Sequence, residues 1–510
     1  MGIKLSLLVV FFASMVGVGL YARKHATSVD GFVLGGRSVG PWLTAFAYGT
    51  SYFSAVVFVG YAGQFGWKYG IASTWIGIGN AVIGSLLAWV VLGRRTRVMS
   101  QHLHSKTMPD FFGERYQSKS LKIVASVIVF VFLVPYTASI YNGLSRLFGM
   151  AFDIPYVACV AVMALFTGLY VILGGYMATA INDFIQGIIM LVGIVIVIGA
   201  VLSGQGGFVE AINQMAQIKS DVAITAGQPG AFTSFFGPDP LNLLGVVILT
   251  SLGTWGLPQM IHKFYTIKDE KAINSGTVIS TVFAIVVAGG SYFLGGFGRL
   301  FDSPQIYDQE TGVIIFDSII PFMLSSLPDI LIGIVVVLVL SASMSTLSSL
   351  VLTSSSTLTL DFLKENVLKK ADDKKLIVVM QGLIVFFIAI SVVIALDPPT
   401  LIAQLMGISW GALAGSFLAP FLYGLYWKGV TKAAVWASFI SGVGITVSNL
   451  FFHYISSPIN AGAIVMVIGL ILVPIVSIIS PKLNQEKLEE IFSCYDEKII
   501  ITKKRSLEEN

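Results

Sequence analysis

Ser341-Ala342-Ser343-Met344-Ser345-Thr346-Leu347-Ser348-Ser349 lies deep inside an apolar segment that begins near Leu327 and runs to about Leu363. Each hydroxyl left unpaired in hydrocarbon costs of order a few kcal/mol, so so dense a run needs partners. On a helix, Ala342, Ser345, Thr346 and Ser349 stand at i, i+3, i+4 and i+7 and share one face, with Ser348 beside it. Hydroxyl oxygens and a main-chain carbonyl on one face are hard, neutral ligands of the kind alkali cations accept in place of water. A plainer reading is that the hydroxyls bond back to carbonyls one turn earlier, or pack small against a neighbouring helix.

The rest of the chain is as apolar as this segment. Of 510 residues, 55% are hydrophobic and 11% charged, against roughly 25% charged in soluble domains. Apolar runs of about 20 residues, the length that crosses hydrocarbon, recur throughout. We expect an all-α membrane protein of about thirteen transmembrane helices, near 4–22, 41–64, 71–93, 121–148, 155–174, 178–203, 241–263, 271–298, 328–361, 376–396, 401–426, 431–454 and 460–480. The run Leu5 to Leu20 has no small-residue cleavage site before Arg23-Lys24 and reads as a retained helix. Cys159 and Cys494 cannot build a disulfide framework or a metal cluster.

The net charge of +4 says little, but its distribution says more. One set of alternate loops (Arg23 to Arg37, Arg94 to Lys122, Lys263 to Lys271, Lys364 to Lys375, Lys428 to Lys432 and the tail through Lys503-Lys504-Arg505) holds 26 basic residues, against 5 in the other set. The bias assigns the first set to the cytoplasm, with the N-terminus outside and the C-terminus inside. Residues 1–480 form a single transmembrane domain and 481–510 a cytoplasmic tail with a short helix over Leu483–Phe492. The outer segments Gly204–Pro240, with an amphipathic piece near Phe208–Gln217, and Leu300–Pro328 read as lids or spacers.

Two spans carry helix breakers at similar depth. The second reads Gly49-Thr50-Ser51-Tyr52-Phe53-Ser54, and the seventh Gly253-Thr254-Trp255-Gly256-Leu257-Pro258-Gln259. Glycine and proline weaken the hydrogen-bond ladder, and freed carbonyls can face a buried site. Five spans apart, the two begin on opposite sides of the membrane, as inverted five-helix repeats require. Close packing of glycine-bearing helices is the competing explanation.

Several strings, in order, resemble the sodium:solute symporter family, which includes proline, pantothenate, sialic acid and sodium/glucose carriers. They are Phe32-Val-Leu-Gly-Gly-Arg37-Ser38-Val-Gly-Pro41, Thr107-Met-Pro-Asp110-Phe-Phe-Gly-Glu-Arg115-Tyr116, Leu173-Gly-Gly175 through Asn182-Asp183-Phe-Ile-Gln186, Trp255-Gly-Leu-Pro258-Gln-Met-Ile-His-Lys263-Phe264, Ser341–Ser349, and Ile408-Ser-Trp410 through Gly415 to Pro420. The resemblance covers about residues 1 to 480. It implies LeuT-like inverted repeats over 41–203 and 241–426, with the first span outside them. It also implies a sodium site made of the carbonyls of Thr50, Phe53 and Ala342 and the hydroxyls of Ser345 and Thr346. Some members hold a second sodium with an acid on the fifth core helix and further hydroxyls on the eighth, positions filled here by Asp183, Ser348 and Ser349. An acid within a span is costly and usually functional. Asp183 is open to another reading, as a group near the cytoplasmic mouth that is solvated or caps a helix start.

The chain also departs from parts of the family. Proline carriers have an acid just after the first break, where Tyr52 stands here, which makes proline a less secure expectation. Asn80 has no acid beside it, and no lysine lies between Asn274 and Gly296, which argues against a hexose. The expected pocket is aromatic with a few amides: Ser54, Tyr61, Gln64, Tyr136, Asn142, Thr254, Trp255, Gln259, Gln404 and Trp410. Each of these residues is equally open to ordinary packing.

The resemblance implies sodium-coupled symport of a small organic solute (amino acid, monocarboxylate or vitamin-like) across the cytoplasmic membrane. The expected partners are that solute, Na+ and the bilayer, with no nucleic acid and no obligate protein partner. A transporter-like membrane sensor is the alternative, although no kinase or receiver-like domain follows Lys504. A channel is disfavoured because no charged rings line a pore. An enzyme is disfavoured because no paired acids, nucleophile–base set or metal cluster occurs at depth.

Overall fold

The computed structural model describes residues 2–152, 155–397 and 401–496, so the basic end of the expected tail, Lys503-Lys504-Arg505, lies outside the described residues. Helix follows helix along the chain, and among the described residues no strand forms. Hydrocarbon requires this, since a helix pairs its interior N–H and C=O groups within its own segment. Ten helices among the described residues are long and apolar enough to cross a bilayer, or eleven counting the bent pair Pro240–Gly256 and Pro258–Thr266 as one. Two of the ten are 47 and 49 residues long. At the usual rise these reach about 70 Å, more than twice the thickness of hydrocarbon. Each is interrupted at a glycine in the left-handed region, Gly70 (φ +60°) and Gly175 (φ +53°). A Cβ at either would strike a main-chain oxygen, that of Phe232 or Phe32.

Burial separates the centre of the bundle from its rim. The apolar windows of Ile402–Tyr426 and Asp329–Asn366 are 89% and 78% buried, against 28% for Asp373–Leu396. The hydroxyl-rich helix Asp329–Thr357 packs on Tyr156–Gly204, Lys119–Phe152 and Asp373–Leu396, so protein surrounds it. Asp373–Leu396 turns Val378, Val385, Phe386 and Val393 outward, where they face lipid.

The loops richest in Lys and Arg meet on one face. Lys106 pairs with Asp30 at 2.6 Å, Lys122 with Asp110 at 2.7 Å and Glu365 at 3.2 Å, and Lys428 with Glu489 at 2.6 Å. Arg94 joins Glu270 there. Arg37 donates to Ser105 O, and Arg115 donates to the carbonyls of Gly424 (2.9 Å) and Trp427 (3.1 Å). Burial pushes both guanidinium groups below their usual range, although arginine keeps its charge. The tail helix, expected over Leu483–Phe492, forms over Gln485–Ser493 and docks here, with Tyr495 stacked 4.4 Å from Arg95. These contacts group the same loops that the charge bias grouped.

Candidate cation and solute site

Pro41–Thr50 starts with a proline in its first turn, where an N–H has no partner to lose. The helical ladder lapses over residues 51–54, and Ser54 restarts it. Its carbonyl accepts from Val57 N and Phe58 N, both at 3.0 Å, and its hydroxyl from Val56 N at 3.2 Å. Ala55 N–H instead crosses to Ser343 Oγ, 3.2 Å away on the hydroxyl-rich helix. The break therefore turns the carbonyls of Thr50 and Phe53 toward that helix.

Two hydroxyls meet those carbonyls. Ser345 Oγ lies 3.1 Å from Thr50 O and 2.9 Å from Ala342 O. Thr346 Oγ1 lies 3.0, 3.2 and 3.1 Å from the carbonyl oxygens of Thr50, Phe53 and Ala342. Each hydroxyl has one proton to donate, so five close approaches share two protons. The other three approaches set lone pairs against lone pairs in a fully buried place, an arrangement that a cation among them relieves. Ligands about 2.4 Å from an ion, the calcium range and apt for sodium's similar radius, stand ~3.4 Å apart at right angles. The spacing found is close to that. The plainer reading of the stretch holds elsewhere on the same helix: Ser348 bonds back to Ser345 O (2.9 Å) and Ser355 to Val351 O (2.7 Å).

The second break is built by Leu257, which is extended (φ −86°, ψ 121°), followed by Pro258 at the first position of Pro258–Thr266. The chain bends there by 46°, and the short helix carries Lys263 into the interior. Lys263 Nζ donates to Ser349 Oγ at 3.0 Å and stands 3.9 Å from Asp183 Oδ2, with the side chains 2% and 0% exposed. Ser349 Oγ in turn meets Ser51 Oγ in the first break at 2.8 Å. Asp183 is neither solvated nor at a helix start, and among the described residues its carboxylate oxygens find no hydrogen-bond donor. Asp183 and Ser349 thus gather around Lys263, while Ser348 turns to its own helix. Sequence reasoning placed Lys263 at the start of a basic loop. The available signal was a lysine five residues beyond Pro258 in an otherwise apolar run.

The expected pocket residues fall into separate groups. Tyr136 and Trp410 pack edge to face with ring centroids 5.9 Å apart, and the Tyr52 ring lies 6.3 Å from that of Trp410. The Tyr136 hydroxyl lies beside Ser54 and the Trp410 indole, but no hydrogen bond of good geometry forms with either. The hydroxyls of Tyr52 and Tyr292, Trp410 Nε1 and Asn80 Nδ2 are also buried without a partner among the described residues. Both amide atoms of Gln259 and Gln64 Oε1 share that condition. Other residues are already engaged: Thr254 donates to Gly84 O (3.2 Å), Trp255 to Ile83 O (2.9 Å) and Tyr61 to Ala403 O (3.3 Å), while Asn142 accepts from Arg146 (3.1 Å). Gln404 is half-buried in the first turn of Ile402–Tyr426. Tyr52 and Tyr292 were missed as pocket residues, because an aromatic in an apolar span gives no sign of which side chains it will face.

Two broken helices packed on a hydroxyl-rich third, in an all-helical bundle, define a LeuT-fold transporter. A solved Na+-coupled sialic acid symporter, caught in a substrate-bound outward-open state, has the same fold: TM-score 0.75 over 94% of this chain and 98% of that one, at 16% identity. A nucleobase-cation-symport-1 family transporter matches at TM-score 0.50 and 13% identity over 91% and 98%. The family model for the sodium:solute symporter family matches residues 32–442, and the chain belongs to that family. Similar relatives include a sodium/proline symporter of Staphylococcus aureus, 32% identical over 456 residues (86% of this chain, 84% of that one). The osmoregulated proline transporter OpuE of Bacillus subtilis is 28% identical over 439 residues (85% and 86%). The chain is a multi-pass, sodium-coupled membrane transporter, and Na+ is its coupling ion.

Proposed function

We propose that this chain carries proline into the cell together with Na+, the ion resting among the carbonyls of Thr50, Phe53 and Ala342 and the hydroxyls of Ser345 and Thr346. The observation that carries the ion site is the five oxygen–oxygen approaches served by two protons. The ligands come from both repeats, Thr50 and Phe53 from the first and the rest from the second. Rocking one repeat against the other pulls the set apart, so the ion stabilises one arrangement over the other, which is the requirement for coupling.

For the solute, the relatives named for proline set the expectation, and the pocket chemistry supports a small zwitterion. Unpaired phenol hydroxyls on Tyr52, Tyr136 and Tyr292 and the Trp410 indole N–H are donors suited to a carboxylate. The π faces of Tyr52 and Trp410 suit an ammonium and the apolar pyrrolidine ring. Tyr52 in this way takes the place of the acid expected in proline carriers. The basic face is the cytoplasmic one in this reading. The test is uptake of labelled proline by purified protein in proteoliposomes under an inward Na+ gradient, with unlabelled amino acids, monocarboxylates and vitamins as competitors. Sodium-driven uptake displaced by proline is expected; sodium-driven uptake displaced only by another solute would contradict the assignment of proline.

A further inference from the structure

We infer that Lys263 is a tethered cation: its ammonium fills the position that Asp183 and Ser349 offer a second sodium, so the chain carries one Na+ per solute. The inference rests on the reading that the five-oxygen set holds the coupling ion.

The ammonium stands where such an ion would be bound. It donates to Ser349 Oγ at 3.0 Å, faces Asp183 Oδ2 at 3.9 Å and lies 5.1 Å from the centre of the Tyr176 ring. Among the described residues it is the one cation within 4.0 Å of Asp183. Ser348, the other hydroxyl expected at a second site, donates to Ser345 O at 2.9 Å and is not among the partners of the ammonium.

Charge counting points the same way. Ser349 follows Ser345 and Thr346 by one helical turn, so the residue this ammonium binds stands roughly 5 Å along the helix from the five-oxygen set. With a sodium ion in that set, Lys263 and Asp183 cancel, and the dry interior carries one net positive charge. A second sodium beside the ammonium would bring a third cation to a single carboxylate, with no other anion among the pairs found there. A lysine on a short helix also cannot leave with the cargo. It moves with Pro258–Thr266 and so keeps Asp183 neutralised through the cycle, whereas a diffusible ion would be released.

The test is the ratio of labelled sodium to labelled proline entering proteoliposomes through the same protein, with the Hill coefficient for Na+ measured alongside. For the unaltered chain the expected ratio is one and the Hill coefficient is one. A ratio of two overturns the inference while leaving sodium coupling intact; uptake indifferent to sodium would instead sink the underlying reading. Lys263→Met, with Asp183 kept, is expected to admit a second ion and move the ratio and the Hill coefficient toward two. Lys263→Met combined with Asp183→Asn is expected to return both to one. A Lys263→Met protein that transports with a ratio and sodium dependence unchanged makes the lysine a merely structural partner and overturns the inference. Should neither variant reach the membrane, the ratio of the unaltered chain decides alone.

Discussion

Thr346 Oγ1 has one proton and three carbonyl oxygens within 3.2 Å. Two of those acceptors, Thr50 O and Phe53 O, come from another helix, whereas both acceptors of Ser355, Val351 O and Leu352 O, lie on its own. Thr346→Ala and Ser345→Ala should each raise the sodium concentration for half-maximal uptake about tenfold or more, equivalent to roughly 1.4 kcal/mol, with the amount of protein in the membrane unchanged. Ser348→Ala and Ser355→Ala remove hydroxyls whose protons go to carbonyls of their own helix and should leave that concentration alone. Equal responses from the two pairs would show that the stretch acts only through packing. In the proposed solute pocket, Tyr136→Phe removes a hydroxyl that makes no well-formed hydrogen bond. It should raise the proline KM by roughly ten- to 150-fold, the worth of about 1.5–3 kcal/mol for a hydrogen bond to a charged group, without changing sodium dependence at saturating proline. The face of Ser345 and Thr346 was legible because helical spacing puts them together. Their partners Thr50 and Phe53 lie about 290 residues away in sequence, where spacing is silent, and only the family resemblance supplied them. Lys263 was misread because a loop rich in basic residues begins just after it.

At the scale of elements, the breaks were legible from their glycines and prolines, and so was the amphipathic helix Phe208–Gln217. The short apolar helix Phe316–Ser325 was not, since its run is too brief to stand out from the segment read as a spacer. It does more than span a gap: Asp317 Oδ2 accepts from Ile402 N at 3.3 Å, at the start of the most buried span. The glycines sort into two kinds. Gly49 at the first break precedes freed carbonyls, whereas Gly66 lets two helices touch through their backbones. A Cβ there would sit 2.1 Å from the carbonyl carbon of Gly295, and one at Gly295 2.7 Å from that of Ala62. Main chain cannot step aside as a side chain can, so Gly66→Ala should cost about 1–3 kcal/mol, the usual penalty of overpacking. The reading is a lower Tm of the purified protein; an unchanged Tm would mean that these helices separate freely.

For the whole molecule, the single ion proposed per cycle sets a ceiling. A sodium ion entering across 100 mV releases about 2.3 kcal/mol, and a tenfold gradient adds roughly 1.4 kcal/mol. Together they support accumulation of the solute by roughly 500-fold, whereas two ions would support on the order of 10⁵. Proteoliposomes held at that potential and gradient should level off at or below the lower figure, and a plateau well above it would rule out single-ion coupling. Such a machine needs a closed side. Arg37, Arg115 and the Lys122 cluster bind the loops of the basic face to one another, and in the proposed direction of transport that face is the one that must loosen to release cargo. The grouping of these loops was readable from charge alone, since a bias of 26 against 5 leaves little room for another arrangement. How they interlock was not, because main-chain acceptors such as Gly424 O carry no sequence signature.

The most direct measurement is equilibrium binding of labelled sodium to the purified protein, beside a variant carrying both Ser345→Ala and Thr346→Ala. The account predicts saturable binding of one ion per chain, tightened by proline, and its loss in the double variant. Undiminished sodium binding by that variant would contradict it.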